Sequence, residues 1–240
     1  MNTDSREILV GGLPVEVVRK RIKNLHLGVY PPEGRVRVAA PPVLSEDAVR
    51  LAVVARLGWI KQQRAKFVAQ ERQSEREYLS GECHFYKGRR YRLNHIERSG
   101  RTKVSLRGSE FIDLAVKPGT DRTDRESALQ KWYRKELRAE ATPLIEKWAP
   151  RLNLAVPDFR IKRMKTKWGS CNIKSKRIWL NLELIKKPSA CLEYVVVHEL
   201  VHLLERHHND AFVAHMDRLL PGWRSTRQEL NKQPLSHEEW

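Results

Sequence analysis

His198-Glu199-Leu200-Val201-His202 sets two imidazoles four residues apart, with a carboxylate beside the first. An α-helix turns about 100° per residue, so positions four apart fall about 40° apart on one face. His198 and His202 can therefore grip one metal ion. Glu199, offset from that face, can reach a water bound to the metal and act as its general base. Zn2+ suits this donor set, because neutral imidazoles are good zinc ligands and zinc lowers the pKa of a bound water from about 15.7 toward about 7. Shuffling this composition would produce the pentapeptide roughly once in 30 chains, so its setting must carry weight. That setting is ACLEYVVVHELVHLLER, residues 190–206, long and apolar enough for a buried helix that starts after Pro188 with Ser189 as its cap. Inside such a helix two histidines and a glutamate need partners to offset their desolvation.

A catalytic zinc site takes three protein ligands and keeps one position for water. His208 stands six residues after His202, about 240° around an unbroken helix, so it becomes a ligand only if the helix ends near Arg206. Asn209 or Asp210 can cap a new helix through Phe212, Val213, Met216, Leu219 and Leu220. A loop at His207-His208 then swings a histidine back to the metal. His208 is the preferred third ligand, with His207 or Glu205 as alternatives and His215 a further one beyond direct contact.

Upstream, Trp168-Gly169-Ser170-Cys171 reads as a tight turn in which Gly169 permits a positive φ and Trp168 packs beside the metal helix. Lys162, Arg163, Lys165, Lys167, Lys174, Lys176 and Arg177 surround it, and residues 161–177 contain no acid. A cleft flanked by this segment is cationic. Lys165, Lys167 and Trp168 are the candidate substrate-binding residues. Cys171 is read as a structural thiol, the alternative being a nucleophile activated by Lys165, Lys167 and Lys174.

These residues need a scaffold. Residues 23–29 and 35–38, separated by Pro31-Pro32-Glu33-Gly34, form a β-hairpin stopped by Pro41-Pro42. Ser45 caps a helix through Ala48, Val49, Ala52, Val53, Leu57 and Ile60 that continues toward Tyr78. Between Gly81 and Val116, HFYKG, YRLNHIE, TKVSL and FIDLAV are short strands. Pro118-Gly119-Thr120-Asp121 marks a boundary, dividing a β-rich region with one helix (1–120) from a catalytic domain (121–240). A helix from about Thr123 to Trp148 is bent or interrupted at Pro143. The strand-like PDFRIKRM, the turn at 168–177 and the strand IWLNLEL then lead into the metal helix. No internal repeat is visible, and the class is α+β.

At 240 residues the chain can bury a core without disulfides, and three cysteines with no close pair suit reduced thiols. No apolar stretch approaches the roughly 20 residues of a membrane span, and the N-terminus has no signal-like apolar region, so a cytoplasmic location is expected. A net charge of +17 draws anionic partners and makes nucleotide or nucleic-acid contact plausible.

EYVVVHELVHLLERHHNDAF, together with KTKWGSCNIKSKRIWLNLEL upstream, resembles the YgjP-like family of zincin metallopeptidases, which join a W-G-S-C element to HExxH and a following His-x-x-x-Phe. Those motifs cover roughly residues 160 to 225, and the hairpin, Pro-rich turn and Trp59-containing helix resemble the family's N-terminal part more loosely. The resemblance implies His198, His202 and His208 as zinc ligands and Glu199 as the catalytic glutamate. It further implies a zincin-like catalytic domain whose HExxH helix packs on a small β-sheet with strands around Phe159, Ile178 and Leu182. The HELxH helix is also similar to SprT-like zincins. Metzincins place a glycine three residues after the second histidine, where this chain has Glu205, and no separate Met-turn is visible because Met216 falls in the next helix.

The leading expectation is a zinc-dependent metallopeptidase acting on a peptide or protein substrate, with an anionic one favoured by the charge. The alternative keeps the metal and hydrolyses a nucleoside-triphosphate phosphoanhydride, although no Walker-type glycine loop is present. A third class, a nucleic-acid-binding module with structural zinc, predicts closed four-ligand coordination and salt-sensitive binding.

Overall fold

Strand β1 (Ser5–Val10) turns back into β2 (Leu13–Arg19) through Gly11-Gly12, whose φ angles of +58° and +76° are both in the region that a two-residue hairpin turn of this hand demands. A second hairpin, β3 (His26–Tyr30) with β4 (Arg35–Ala40), matches the expected one. The sheet has order β1-β2-β4-β3, with β2 and β4 parallel. The hairpin β1-β2 is an addition to the sequence reading. The computed structural model describes residues 5–30, 34–68, 76–155, 158–164 and 166–232. Lys165 and the turn residues 31–33 lie outside them.

Helix α1 (Glu46–Val54) starts where Ser45 Oγ accepts the Ala48 amide at 3.2 Å, a cap worth about 1 kcal/mol. The single long helix expected here is instead two. The Arg56 amide bonds to Val53 O, three residues back, which tightens and ends α1, and α2 (Leu57–Val68) begins beside Gly58. Residues 76–79 are not helical. Val49, Val53 and Ile60 complete a core with Ile8, Val15, Val36 and Val38.

The four strands expected after Gly81 are β5 (Cys83–Tyr86), β6 (Arg89–Glu97), β7 (Lys103–Arg107) and β8 (Phe111–Val116). Their order, β5-β6-β8-β7, and their pairing senses are those of the first sheet. Both sheets open with a two-residue turn whose two φ angles are positive, Lys87-Gly88 being the second. A topological repeat is therefore present where the sequence shows none.

Helix α3 (Arg122–Trp148) is capped by Asp121, which accepts the Asp124 amide at 2.8 Å. It runs through Pro143 without interruption. Proline removes the donor to Ala139 O, and Ala139 and Pro143 are both on the exposed face, where water can satisfy that carbonyl. The opposite face, with Leu129, Trp132, Tyr133 and Leu137, covers Tyr86, Leu93, Ile112 and Leu114 of the second sheet. Tyr133 Oη donates to Phe85 O at 3.0 Å, and Tyr86 Oη to Glu136 at 2.8 Å.

That shared core moves the expected domain boundary. The chain forms two compact units, Met1–Ser74 and Glu75–Ser236, and residue 121 lies inside the second. A cut at 120 would strip the second sheet from the helix that buries its inner face.

The third sheet joins β9 (Asp158–Lys162), β10 (Gly169–Asn172) and β11 (Arg177–Asn181) in the order β10-β11-β9, with β9 and β11 parallel. Phe159 and Ile178 are directly paired on it. Leu182 is not in a strand but opens a buried 3-10 turn, Leu182–Lys186. Helix α4 (Ser189–Val201) lies against β10, β11 and α3, and is followed by α5 (Asp210–Leu219) and α6 (Trp223–Lys232). The α+β class is as expected. Among the described residues no helix is long and apolar enough to cross a membrane.

One buried group makes this unit acid-sensitive. His84 is 1% exposed, and Arg76, which can only donate, lies 2.8 Å from its Nδ1, so the ring is neutral. Burial, then the charges of Arg76 and Lys186, hold it down to about 3. The unfolded chain, titrating near 6.5, takes a proton that the folded chain refuses. Stability is therefore full above pH 6.5 and falls by up to about 1.4 kcal/mol per pH unit below it. Urea unfolding between pH 7.5 and 5 should show this slope, and His84→Asn, which keeps an acceptor and removes the titration, should reduce it by up to about 1.4 kcal/mol per pH unit; an unaltered slope in the variant would refute the assignment.

Candidate metal centre

Helix α4 is apolar around its circumference, with Leu192, Val195, Val196, Val197, Leu200 and Val201 all buried. Its N-terminal neighbour is Pro188, which makes no side-chain cap; Ser189 is the first helical residue rather than the cap. Glu193 fixes the helix to α3, accepting from Lys147 Nζ and Trp148 Nε1, each at 2.8 Å.

The last helical residue is Val201, five residues before the end expected near Arg206, and His202 is the C-cap. The amides of Leu203 and Leu204 bond three residues back, to Leu200 and Val201, and the Glu205 amide bonds to Val201 O at 2.9 Å. This tightening builds the reversal with no glycine and no left-handed residue at Glu205. Asn209 caps α5, accepting the Phe212 amide at 3.0 Å. The intervening loop brings His208 back: its Nε2 lies 3.1 Å from His198 Nε2, and ligand atoms of His198, His202 and His208 all lie within 4.8 Å of one another. Two nitrogens on one tetrahedral zinc stand about 3.3 Å apart, given bonds of about 2.0–2.1 Å.

Each imidazole is prepared differently. His202 Nδ1 is 3.0 Å from Glu205 O, and a carbonyl only accepts, so Nδ1 holds the proton and Nε2 the lone pair. Burial, then its histidine neighbours, presses His198 down to about 3, and burial likewise lowers His208. Phe212, 1% exposed, lies under all three rings, at 5.0, 4.8 and 4.7 Å from those of His198, His202 and His208. His198 Nδ1 and Glu199 Oε2 are buried with no hydrogen-bond partner among the described residues. Three imidazoles converging on one point beside an orphaned carboxylate oxygen fit a bound cation. His207, Glu205 and His215 are outside this group.

Glu199 is 5% exposed, and burial pushes its carboxyl up to about 8 against the pull of Lys167. The reason it fits is Gly169. A Cβ on that residue would stand 2.6 Å from Glu199 Oε1 and 2.8 Å from its Cγ. Gly169 is therefore not the hinge of a tight turn with positive φ; it opens the edge strand β10, and its missing side chain is the space the carboxylate occupies. The loop before it is held by Asn181, fully buried, whose Nδ2 donates to Met164 O and Lys167 O, each at 2.8 Å, while its amide donates to Trp168 O.

A cleft of about 960 Å³ opens over these residues, bordered by Lys167, Trp168, Cys171, Tyr194 and Arg227 among others. Of the candidate substrate-binding residues, Lys167 and Trp168 border this cleft, and Lys165 is outside the described residues. Burial and the Glu199 carboxylate push Cys171 up to about 11, so it is a thiol at neutral pH and the activated-nucleophile alternative is not supported. The sequence reading did not single out Asn181, Tyr194 or Arg227. Arg227 belongs to α6, whose strong amphipathicity between Trp223 and Leu230 was the available signal.

Three convergent imidazoles, two from the HExxH segment and one from the loop after it, could hold one metal ion beside an open cleft. Residues 23–233 match the YgjP-like metallopeptidase domain, and the chain belongs to that family. No curated protein matches it. Among solved structures, the metallopeptidase zymogen abylysin of Pyrococcus abyssi is 21% identical, with a TM-score of 0.36, over 38% of this chain and 92% of that one. The zymogen jannalysin of Methanocaldococcus jannaschii is 20% identical, with a TM-score of 0.35, over 38% and 94%.

Gly169→Ala should displace the Glu199 carboxyl while leaving the imidazoles in place. Peptide hydrolysis should drop about 10²-fold with metal content, read by elemental analysis, unchanged. His208→Ala should do the reverse and weaken metal binding by more than the roughly 10–100-fold that losing an outer partner costs. Full activity in Gly169→Ala would remove the proposed link between strand and glutamate.

Proposed function

We propose that this chain is a zinc-dependent peptidase in which His198, His202 and His208 hold the ion and Glu199 is the catalytic residue. The observation that carries the reading is the return of His208 to within 3.1 Å of His198 beside the buried, unpartnered Glu199. Zinc, when bound there, supplies Lewis acidity for a water and for the scissile carbonyl. Glu199 takes the proton of the attacking water and hands it to the leaving amine. Burial favours the first step, because a carboxylate poorly solvated by its surroundings is a stronger base, and the second is driven by the leaving amine, which is more basic than the carboxylate. Gly169 lets its carboxyl stand at the cleft floor. Phe212 and the apolar face of α4 keep bulk water from the far side of the imidazoles, and Glu205 O fixes the tautomer of His202. Lys167 and Trp168 contact the substrate from the β10 wall.

A second reading, hydrolysis of a nucleoside-triphosphate phosphoanhydride, is favoured by one observation: Lys167, Lys174, Arg206 and Arg227 all border the cleft. Phosphate release from triphosphates with casein left intact would select it. A structural zinc would take four ligands. The group found among the described residues has three, which argues against a purely structural role.

Purified Glu199→Gln should retain zinc and lose about 10²–10⁴-fold in peptide hydrolysis. Equal rates in variant and unsubstituted protein would defeat the assignment of Glu199.

A further inference from the structure

Two arginines of α6 lie near the ring of Trp223, and they differ in one respect. Arg224 is neutralised: both its terminal nitrogens reach the Asp217 carboxylate, and its guanidinium also covers the Trp223 ring at 4.7 Å. Arg227 lies 6.0 Å from the same ring and pairs with no carboxylate among the described residues. Trp223 is itself held, donating from Nε1 to Asp217 at 2.7 Å and stacking on Tyr194 at 6.2 Å with the rings 4° from parallel. Tyr194 is in turn 5.6 Å from the ring of His198. A ladder of rings therefore runs from the metal centre to the Arg227 guanidinium.

A cation resting on an aromatic face keeps its N–H fork free, and that fork matches a carboxylate in two parallel hydrogen bonds. Arg227 borders the cleft, and its charge acts on His198, His208 and Tyr194. Lys167 also borders the cleft, its charge acting on Glu199, and it forms no ion pair among the described residues. Glu199 is the one acidic residue bordering the cleft among those described.

We propose that Arg227 is a specificity-determining residue that binds a carboxylate of the substrate close to the bond being cut, with Lys167 a second cation bordering the same cleft. This rests on the peptidase reading above and adds the substrate class: peptides bearing a negative charge beside the scissile bond. The carboxylate has two sources, a free C-terminus or an Asp or Glu side chain.

The test uses the zinc-loaded Glu199→Gln protein, which reports binding without turnover. Four fluorescein-labelled peptides of one neutral sequence are compared by anisotropy: C-terminus free or amidated, each with or without one Glu. An added carboxylate should tighten binding at least about tenfold. A gain from Glu in the amidated peptide identifies a side chain, and a gain from the free acid alone identifies the C-terminus. Adding Arg227→Gln should bring the ratio near one, and Arg227→Lys should restore part of it. Arg224→Gln, which removes one positive charge already spent on Asp217, should leave the ratio intact. Equal affinities for all four peptides, a ratio that persists in Arg227→Gln, or an equal loss in Arg224→Gln overturns the proposal. So does UTP displacing every peptide in an Arg227-dependent way. Incubating the same peptides with unsubstituted protein separates the two claims, since failure to cleave any of them defeats the peptidase reading while the binding ratios still decide the role of Arg227.

Discussion

Glu199 has to be buried, ionisable and unpartnered at once, and the second unit is arranged around that conflict. A carboxylate taken from water without compensation is among the costliest groups a protein can hold. Helix α4 can hold it because nearly every other residue on it is apolar and packed, and because Glu193 pins it to α3. The residue facing the carboxyl across the interface is glycine, the one choice whose missing Cβ leaves the space that the carboxylate fills. Asn181 then carries the constraint one layer outward. With its side chain fully buried and bonded to Met164 O and Lys167 O, it fixes the loop that delivers Gly169. None of these contacts adds chemistry; each removes a way for the carboxylate to move.

The reversal after His202 meets a second constraint with ordinary residues. A chain leaving a helix and returning six residues later usually uses a left-handed residue, and glycine is the inexpensive one. Here three-residue hydrogen bonds shorten the last turn, and the freed Glu205 carbonyl becomes the acceptor that sets the His202 tautomer. The turn that returns His208 also orients the His202 ring, so one local conformation positions both imidazoles. Phe212 follows from the same loop: Asn209 starts α5 where its first turn places that ring beneath all three imidazoles.

What could be read from the sequence was what depends on short spacing. The HExxH pair, the caps at Ser45 and Asn209, the hairpin before Pro41 and the four strands after Gly81 are all set within a few residues, and the structure has them. The misreadings came from distant contacts. Gly169 looked like a turn because glycine in sequence signals conformational freedom, whereas its role is set by a residue thirty positions later. Pro143 looked like a break because the sequence does not show that Ala139 O faces water. Leu182 continued a strand-like pattern, yet Asn181 spends its side chain on the Glu183 amide and turns the chain into a 3-10 turn. The boundary at 120 followed turn residues, while the actual division follows which core buries the second sheet. Arg227 was invisible because net charge counts arginines without saying which are already paired.

The repeated sheet shows why topology alone does not make a site. Both four-stranded sheets have the same order and the same pattern of parallel and antiparallel neighbours, and each is followed directly by a helix. After the first sheet, the helix ends at Val54 and a second begins at Leu57. After the second, α3 runs 27 residues without interruption, and its last turn supplies Lys147 and Trp148 to Glu193 of α4. An interrupted helix of nine residues would end about 27 Å short of that contact, at 1.5 Å per residue. The length of α3, and a proline placed on its wet face so as not to break it, therefore decides that the metal helix has something rigid to stand on.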